Sequence, residues 1–114
     1  MTNAPLLGWR GRGCVNTARR VFDLDFEQWK RTQGITLDSK FLMTKAVIGS
    51  MRANGWGRIV NMASDSLGLA VPGLVHYMAS KGAVIGFTRA LASDLAPFGI
   101  TVNAIAAGIF DTDL

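Results

Sequence analysis

Tyr77 and Lys81 are the two residues whose types and spacing suit acid–base chemistry. They are the ends of the segment YMASK, and Tyr77 is the chain's single tyrosine. In a helix, residues four apart lie one turn apart on the same face. A free phenol, with a pKa of about 10, exchanges protons poorly near neutral pH, and a nearby ammonium stabilises its phenolate. The pair could therefore act as a general acid or base. Taken alone, a tyrosine and a lysine at this spacing are more often ordinary helix residues.

A third polar group, Ser64, closely follows a predicted strand over residues 58–62. In open α/β sheets, ligands bind at the carboxyl ends of the strands. The helix predicted over residues 74–95 would begin near the same edge. Ser64 could then hydrogen-bond a substrate oxygen while Tyr77 exchanges the proton. Without further information, a serine at this point is more often a turn or capping residue.

Helices and strands alternate along the chain, which indicates an α/β fold with a parallel sheet. Asp25 and Gln28 form a capping-box pattern, which predicts a short helix that ends by Gly34. Asp38 is expected to cap a second helix, and Asn54-Gly55 is its stop signal. Strands are expected at residues 14–16, 58–62 and 100–105.

Composition favours a single small domain with a packed core. The chain has 114 residues, of which 49% are hydrophobic and 18% charged. Cys14 is the single cysteine, so no internal disulfide can form, and a reducing, cytoplasmic setting is expected. No apolar run approaches the roughly 20 residues that span a bilayer, and the N-terminus lacks the order of a secretory signal.

The net charge of +4 is concentrated near the N-terminus, where residues 1–37 hold six basic and three acidic groups. A nucleic-acid-binding arm over residues 1–20 is therefore one alternative, but no recognised motif accompanies the charge, and no nucleic-acid partner is expected. No His/Cys cluster indicates a metal site.

The densest set of motifs lies in one run, RIVNMASDSLGLAVPGLVHYMASKGAVIGFTRALASDLAPFGITVNAIAAGIFDT. It resembles the short-chain dehydrogenase/reductase family, especially its 3-oxoacyl-carrier-protein reductase-like members. Tyr77 to Lys81 matches the family's Y-x-x-x-K motif, and Ser64 falls where the family has its catalytic serine. Residues 99–103 match the strand after the active-site helix. The segment from Gly108 to Thr112 matches part of P-G-x-x-x-T.

The resemblance implies a partial Rossmann-type parallel sheet of about three strands with flanking helices. It also implies an NAD- or NADP-dependent oxidoreductase that interconverts a small-molecule carbonyl compound and its alcohol. Tyr77 would exchange the proton, Lys81 would support the phenolate and bind the nicotinamide ribose, and Ser64 would position the substrate oxygen. The implied cofactor-binding residues are Asn16, Tyr77, Lys81, Gly108, Ile109 and Thr112.

The chain also departs from the family's pattern. Family members begin with a strand, a T-G-x-x-x-G-x-G turn and a helix, and residues 1–36 contain no match to this unit. We therefore expect a single partial domain over residues 1–114. Residues 1–13 would be an irregular N-terminal segment, and residues 14–114 the catalytic middle of the fold without its glycine-rich cofactor half. Thr36 stands where the family has a catalytic asparagine, and Ala107 where it has a proline.

Three further expectations follow. By resemblance, helices 38–53 and 75–95 would form a homo-oligomer interface. His76, beside Tyr77, is expected to be half exposed at the start of its helix. The alternative to an enzyme is a truncated, non-catalytic fragment that acts at most as a helix-pairing interaction module.

Overall fold

The computed structural model of the chain describes residues 18–108. In chain order its helices and strands are α1 (Phe26–Gln33), α2 (Ser39–Ala53), β1 (Gly57–Met62), α3 (Val75–Leu95) and β2 (Ile100–Ile105). The predicted strand at residues 14–16 lies outside the described residues. No helix between residues 18 and 108 has the length and apolar composition needed to span a bilayer.

The first helix begins as predicted but does not end as predicted. Asp25 Oδ1 accepts the backbone N–H of Gln28 at 2.8 Å, and the Gln28 side chain accepts from the Asp25 backbone, which completes the capping box. The predicted stop at Gly34 is wrong, because Gly34 has right-handed helical dihedrals and the chain continues through a π-helical turn at Gly34–Asp38 into α2. Asp38 is itself helical and its side chain caps nothing, so its predicted capping role is also wrong.

The strands form the parallel α/β arrangement that the alternating elements predicted. β1 pairs with β2 from Gly57 opposite Ile100 to Met62 opposite Ile105. Because parallel strands share a direction, their carboxyl ends meet at one edge of the sheet. Any polar groups that follow both strands are therefore brought to the same place.

One face of this sheet is covered by helices. The hydrophobic core lies there and contains Leu95 of α3 with Ile100 and Val102 of β2. Side chains alternate along each strand, so Val60 and Ile105 lie on the opposite face, where they are exposed. The buried face of α3 is therefore what fixes the helix to the sheet.

Two glycines shape the turns that lead into the strands. Gly55, after α2, has φ +62°, and Gly99, between α3 and β2, has φ +70°. Both dihedrals lie in the left-handed region, which glycine adopts without the steric cost of a Cβ. A Cβ added to Gly99 would also collide with the carbonyl oxygen of Gly55. The two turns can therefore pack together only with a glycine at position 99.

We predict that Gly99→Ala lowers the free energy of unfolding by about 2 kcal/mol or more, since a left-handed non-glycine residue alone costs roughly 1–2 kcal/mol and the collision adds to this. Gly49→Ala is the matched control, because Gly49 lies in α2 with open space around its Cβ position. That change should raise the free energy of unfolding by about 0.5–1 kcal/mol. Urea denaturation of the three proteins measures both effects. Equal stability of the two variants would contradict the account of the turn.

Candidate functional site

The backbone pairing of the two strands continues past their ends and brings two predicted site residues to one edge. The Ala63 N–H donates to the Ile105 carbonyl at 2.8 Å, and the Asp65 N–H donates to the Ala107 carbonyl at 3.2 Å. Ser64 and Gly108 therefore lie in neighbouring segments. The approach is close, since a Cβ added to Gly108 would lie 2.7 Å from Asp65 Oδ2.

Ser64 is both a capping residue and a group available at this edge. Its side chain is 6% exposed, and its Oγ accepts the backbone N–H of Ser66 at 3.3 Å. It thereby caps a short 3-10 turn at Asp65–Gly68. The hydroxyls of Ser64 and Ser66 lie 2.8 Å apart, and either can be the donor. When Ser66 donates, the Ser64 proton remains available for another acceptor.

Tyr77 and Lys81 occupy successive turns at the start of α3, as their spacing predicted. The Lys81 Nζ lies 5.6 Å from the centroid of the Tyr77 ring. The same Nζ donates to the carbonyl of Met62, the last residue of β1, at 2.9 Å. The ammonium therefore joins the phenol-bearing turn to the strand end that precedes Ser64.

Two features of the surroundings of Lys81 lower its pKa. Burial lowers the pKa of Lys81 from its ordinary value of 10.5, and the positive charge of Lys40 on α2 lowers it further. An ammonium has three N–H donors, and the bond to Met62 uses one of them. Lys81 can therefore keep its place on the strand and still donate to a hydroxyl at the edge of the sheet.

The expectation that His76 is half exposed is wrong, because its side chain is only 2% exposed. His76 begins a buried stripe on α3 that continues at Ser80, Val84 and Thr88. The end of α1 also reaches this turn, where the Gln33 amide donates to the His76 carbonyl at 3.0 Å. The Nδ1 atom of His76 is buried without a hydrogen-bond partner, and burial lowers the pKa of the imidazole.

Thr36 lies in the π-helical turn between α1 and α2, half buried, on a segment that contacts α3. π-Helical turns are uncommon and occur often at functional sites. Thr36 therefore lies on a segment that packs against the helix carrying Tyr77 and Lys81.

Sequence reasoning did not single out Lys40, whose charge acts on Lys81, or Asn61 and Thr88, whose side chains bond β1 to α3. Lys40 acts only through its distance from Lys81 in the folded chain, so no local pattern marks it. Asn61 does carry a signal, since it is the amide within the apolar strand RIVNM. A polar side chain on a buried strand face requires a partner, and that partner is Thr88 at 2.9 Å.

The predicted cofactor-binding residues Asn16, Ile109 and Thr112 lie outside the described residues, so their roles stay predictions. Within residues 18–108, no three His, Cys, Asp or Glu side chains converge as a metal site would require.

Comparison with known proteins gives a consistent set of relatives. The family model described as short chain dehydrogenase matches residues 11–114. Cyclopentanol dehydrogenase from Comamonas sp. is 45% identical over 100 residues, which cover 88% of this chain and 40% of the relative. The 3-oxoacyl-[acyl-carrier-protein] reductase of Synechocystis sp. is 41% identical over 91 residues, covering 80% of this chain and 37% of the relative.

A solved structure supports the same assignment at the level of the fold. The crystal structure of NAD⁺-bound xylitol dehydrogenase superposes with a TM-score of 0.81 at 35% identity, covering 90% of this chain and 39% of that one. The chain thus spans about two fifths of the length of the curated relatives it matches.

We predict a pH-dependent loss of stability that originates at His76, the chain's single histidine. Its pKa is lower in the folded protein than the ordinary value of 6.5, so the unfolded chain binds more protons between those two values. Stability therefore falls as pH drops through this window and is fully present above it.

Urea denaturation at about pH 7 and about pH 5 measures the effect. The wild-type chain should lose more free energy of unfolding between these two values than His76→Gln, whose amide does not titrate. The comparison uses each protein's own change with pH, so a uniform loss of stability in the variant does not affect it. Identical pH dependence of the two proteins would contradict the prediction.

Proposed function

Since this chain belongs to the short-chain dehydrogenase family, we propose that it carries the proton-transfer residues of an NAD(P)-dependent oxidoreductase that interconverts a small-molecule carbonyl compound and its alcohol. The observation that carries the proposal is the Lys81 ammonium, which lies beside the Tyr77 ring and donates to the end of β1. This geometry puts a phenol and a cation at the sheet edge where ligands bind in α/β folds.

Each residue of the set has a distinct task in the proposed reaction. Tyr77 gives its proton to the carbonyl oxygen during reduction and takes a proton from the alcohol during oxidation. Lys81 donates to the nicotinamide ribose hydroxyls through the N–H groups that the Met62 carbonyl does not use. Ser64 donates a hydrogen bond to the substrate oxygen. Its proton is available for this bond when the Ser66 hydroxyl donates to the Ser64 oxygen. The nicotinamide supplies or accepts the hydride when bound.

The described residues suit the nicotinamide ribose end of the cofactor. Lys81 has N–H donors beyond the one that Met62 accepts, and ribose hydroxyls are suitable acceptors. Gly108 has no side chain, and a Cβ at this position would collide with the Asp65 carboxylate. Beyond the described residues, Asn16, Ile109 and Thr112 would complete the contacts. NAD and NADP are both compatible with this set.

We predict that purified chain mixed with NADH or NADPH changes the cofactor's fluorescence and oxidises it when a carbonyl substrate is added. Tyr77→Phe should lower the rate on the order of 10²–10⁴-fold, the usual contribution of general acid–base catalysis. Cofactor binding should persist in this variant, because the ring remains and Lys81 and Gly108, which are also proposed to contact the cofactor, are unchanged.

The matched control for this substitution is Phe87→Tyr, which adds a phenol to α3 at a position that lines a groove away from the strand end. It should leave the rate unchanged and should not rescue Tyr77→Phe. No cofactor binding at millimolar concentration would show that the isolated chain is not a competent enzyme. Full activity in Tyr77→Phe would remove the tyrosine from the mechanism.

A second candidate function, helix pairing between copies of the chain, is favoured by the outer surface of the helical layer. Phe41, Leu42 and Met43 of α2 are exposed although apolar. A groove beside them is lined by Leu37, Asp38, Phe41, Leu42, Ala83 and Phe87. The proposed homo-oligomer would bury this groove between α2 and α3, and it is compatible with either an enzyme or a non-catalytic interaction module.

We predict that Leu42→Lys weakens self-association at least tenfold, because a charge would replace an apolar contact in the groove. Leu69→Lys is the matched control, since Leu69 is as exposed as Leu42 (68% against 64%) but follows the 3-10 turn rather than lining the groove. Sedimentation velocity over a concentration series measures the effect. A wild-type chain that is monomeric throughout, or equal effects of the two variants, would contradict the pairing proposal.

A further inference from the structure

A hydrogen bond between two buried side chains joins α3 to β1. Asn61 Nδ2 donates to Thr88 Oγ1 at 2.9 Å, and the Thr88 hydroxyl donates in turn to the Val84 carbonyl at 2.7 Å. Asn61 and Thr88 are each 6% exposed, and Val84 is fully buried. The chain of bonds therefore runs from a strand side chain to a helix backbone group within the protein interior.

We propose that Asn61 and Thr88 are positioning residues that fix the place of α3 along β1 and thereby hold Lys81 and Tyr77 at the end of that strand. This inference rests on the proposed function for its catalytic meaning. The positioning itself is a statement about geometry, and it can be tested without any turnover.

The spacing of the two contacts supports this role. Lys81 and Thr88 are seven residues apart, which is close to two helical turns, so they share one face of α3 about 10 Å apart along its axis. Their partners on β1 are consecutive, since Lys81 bonds the Met62 carbonyl and Thr88 bonds the Asn61 side chain. Two attachment points on one face fix both the rotation of the helix and its position along the strand.

The surrounding apolar packing is less directional than these hydrogen bonds. Burial of apolar surface is non-directional and roughly proportional to area, so a small slide of α3 changes it little. A hydrogen bond weakens steeply with distance and angle. In a buried site, moreover, an unmade bond leaves polar groups unsatisfied, which costs more than the bond contributes when formed. The Asn61–Thr88 bond therefore favours one register of α3 over its neighbours.

Thr88→Val tests the proposal, because it removes the hydroxyl at nearly constant shape. Thr32→Val is the matched control. Thr32 is 2% exposed and donates to the Gln28 carbonyl four residues earlier at 3.1 Å, as Thr88 donates to Val84, but no strand side chain bonds it. Both variants lose a buried threonine hydroxyl, and only Thr88→Val loses the contact between helix and strand.

The readout is the pKa of Lys81, followed through its ¹³Cε chemical shift in lysine-labelled chain. The other lysines are Lys30, Lys40 and Lys45, and the spectrum of Lys81→Met assigns the signal. In Thr88→Val the Lys81 pKa should rise toward its ordinary value of 10.5, because the displaced ammonium leaves its partly buried place. Thr32→Val should not move it, and Thr88→Ser, which keeps the hydroxyl, should restore the wild-type value.

A second variant keeps the test decisive if Thr88→Val does not fold. Asn61→Leu combined with Thr88→Val replaces both partners by apolar groups of similar shape, a change that can be nearly neutral for stability. The folded double variant should show the same rise in the Lys81 pKa. An unchanged Lys81 pKa in the variants that lack the bond, or an equal shift in Thr32→Val, would overturn the proposal.

Activity separates this inference from the proposed function. If wild-type chain turns over substrate, Thr88→Val should lower kcat on the order of ten- to a hundredfold, as small misplacements of catalytic groups do, with less effect on KM. A shifted Lys81 pKa in a chain without turnover supports the positioning role and counts against the enzyme. Turnover that is unaffected by Thr88→Val, with an unshifted Lys81, overturns the positioning role alone.

Discussion

The position of α3 on the sheet formed by β1 and β2 is the constraint on which the candidate site depends. Parallel pairing brings the carboxyl ends of β1 and β2 to one edge and supplies Ser64. Tyr77 and Lys81, the proposed proton-transfer pair, belong to a helix, however, so their place at that edge depends on how the helix is docked. Apolar burial around Leu95 keeps α3 on the sheet, and hydrogen bonds to the last two residues of β1 give the docking a direction.

In this docked position, the surroundings of Lys81 have opposing effects on its pKa. Partial burial and the charge of Lys40 favour the neutral amine, whereas the hydrogen bond to the Met62 carbonyl favours the ammonium. The net effect on the Lys81 pKa is downward. A charged donor that has lost part of its water also gains more from each remaining acceptor. The desolvation that makes this charge costly therefore also makes it a strong partner for hydroxyl groups at the edge.

Sequence patterns predicted correctly those structural features that depend on residues close together in the chain. The Asp25 capping box, the extent of α3 and the helix stop at Asn54-Gly55 depend on residues within a few positions of one another, and all were confirmed. The predicted break at Gly34 was wrong because glycine is also compatible with a right-handed helix, and the continuous chain packs against α3 there. The expected exposure of His76 was wrong for a similar reason, since its burial depends on the docked end of α1.

The candidate site also combines features that depend on nearby residues with features that depend on residues far apart in the chain. The spacing of Tyr77 and Lys81 could be read directly, and a family resemblance added Ser64. The hydrogen bonds that join their helix to β1, however, link residues 19 and 27 positions apart along the chain. An asparagine in an apolar strand indicates that a buried partner exists, and only the docked helix identifies it as Thr88. Lys81 thus belongs both to the proposed chemistry and to the docking of its helix, whereas Asn61 and Thr88 are proposed to act on the docking alone. A chain can retain the Y-x-x-x-K spacing and still lose the alignment, so the catalytic motif alone does not establish that the site is correctly assembled.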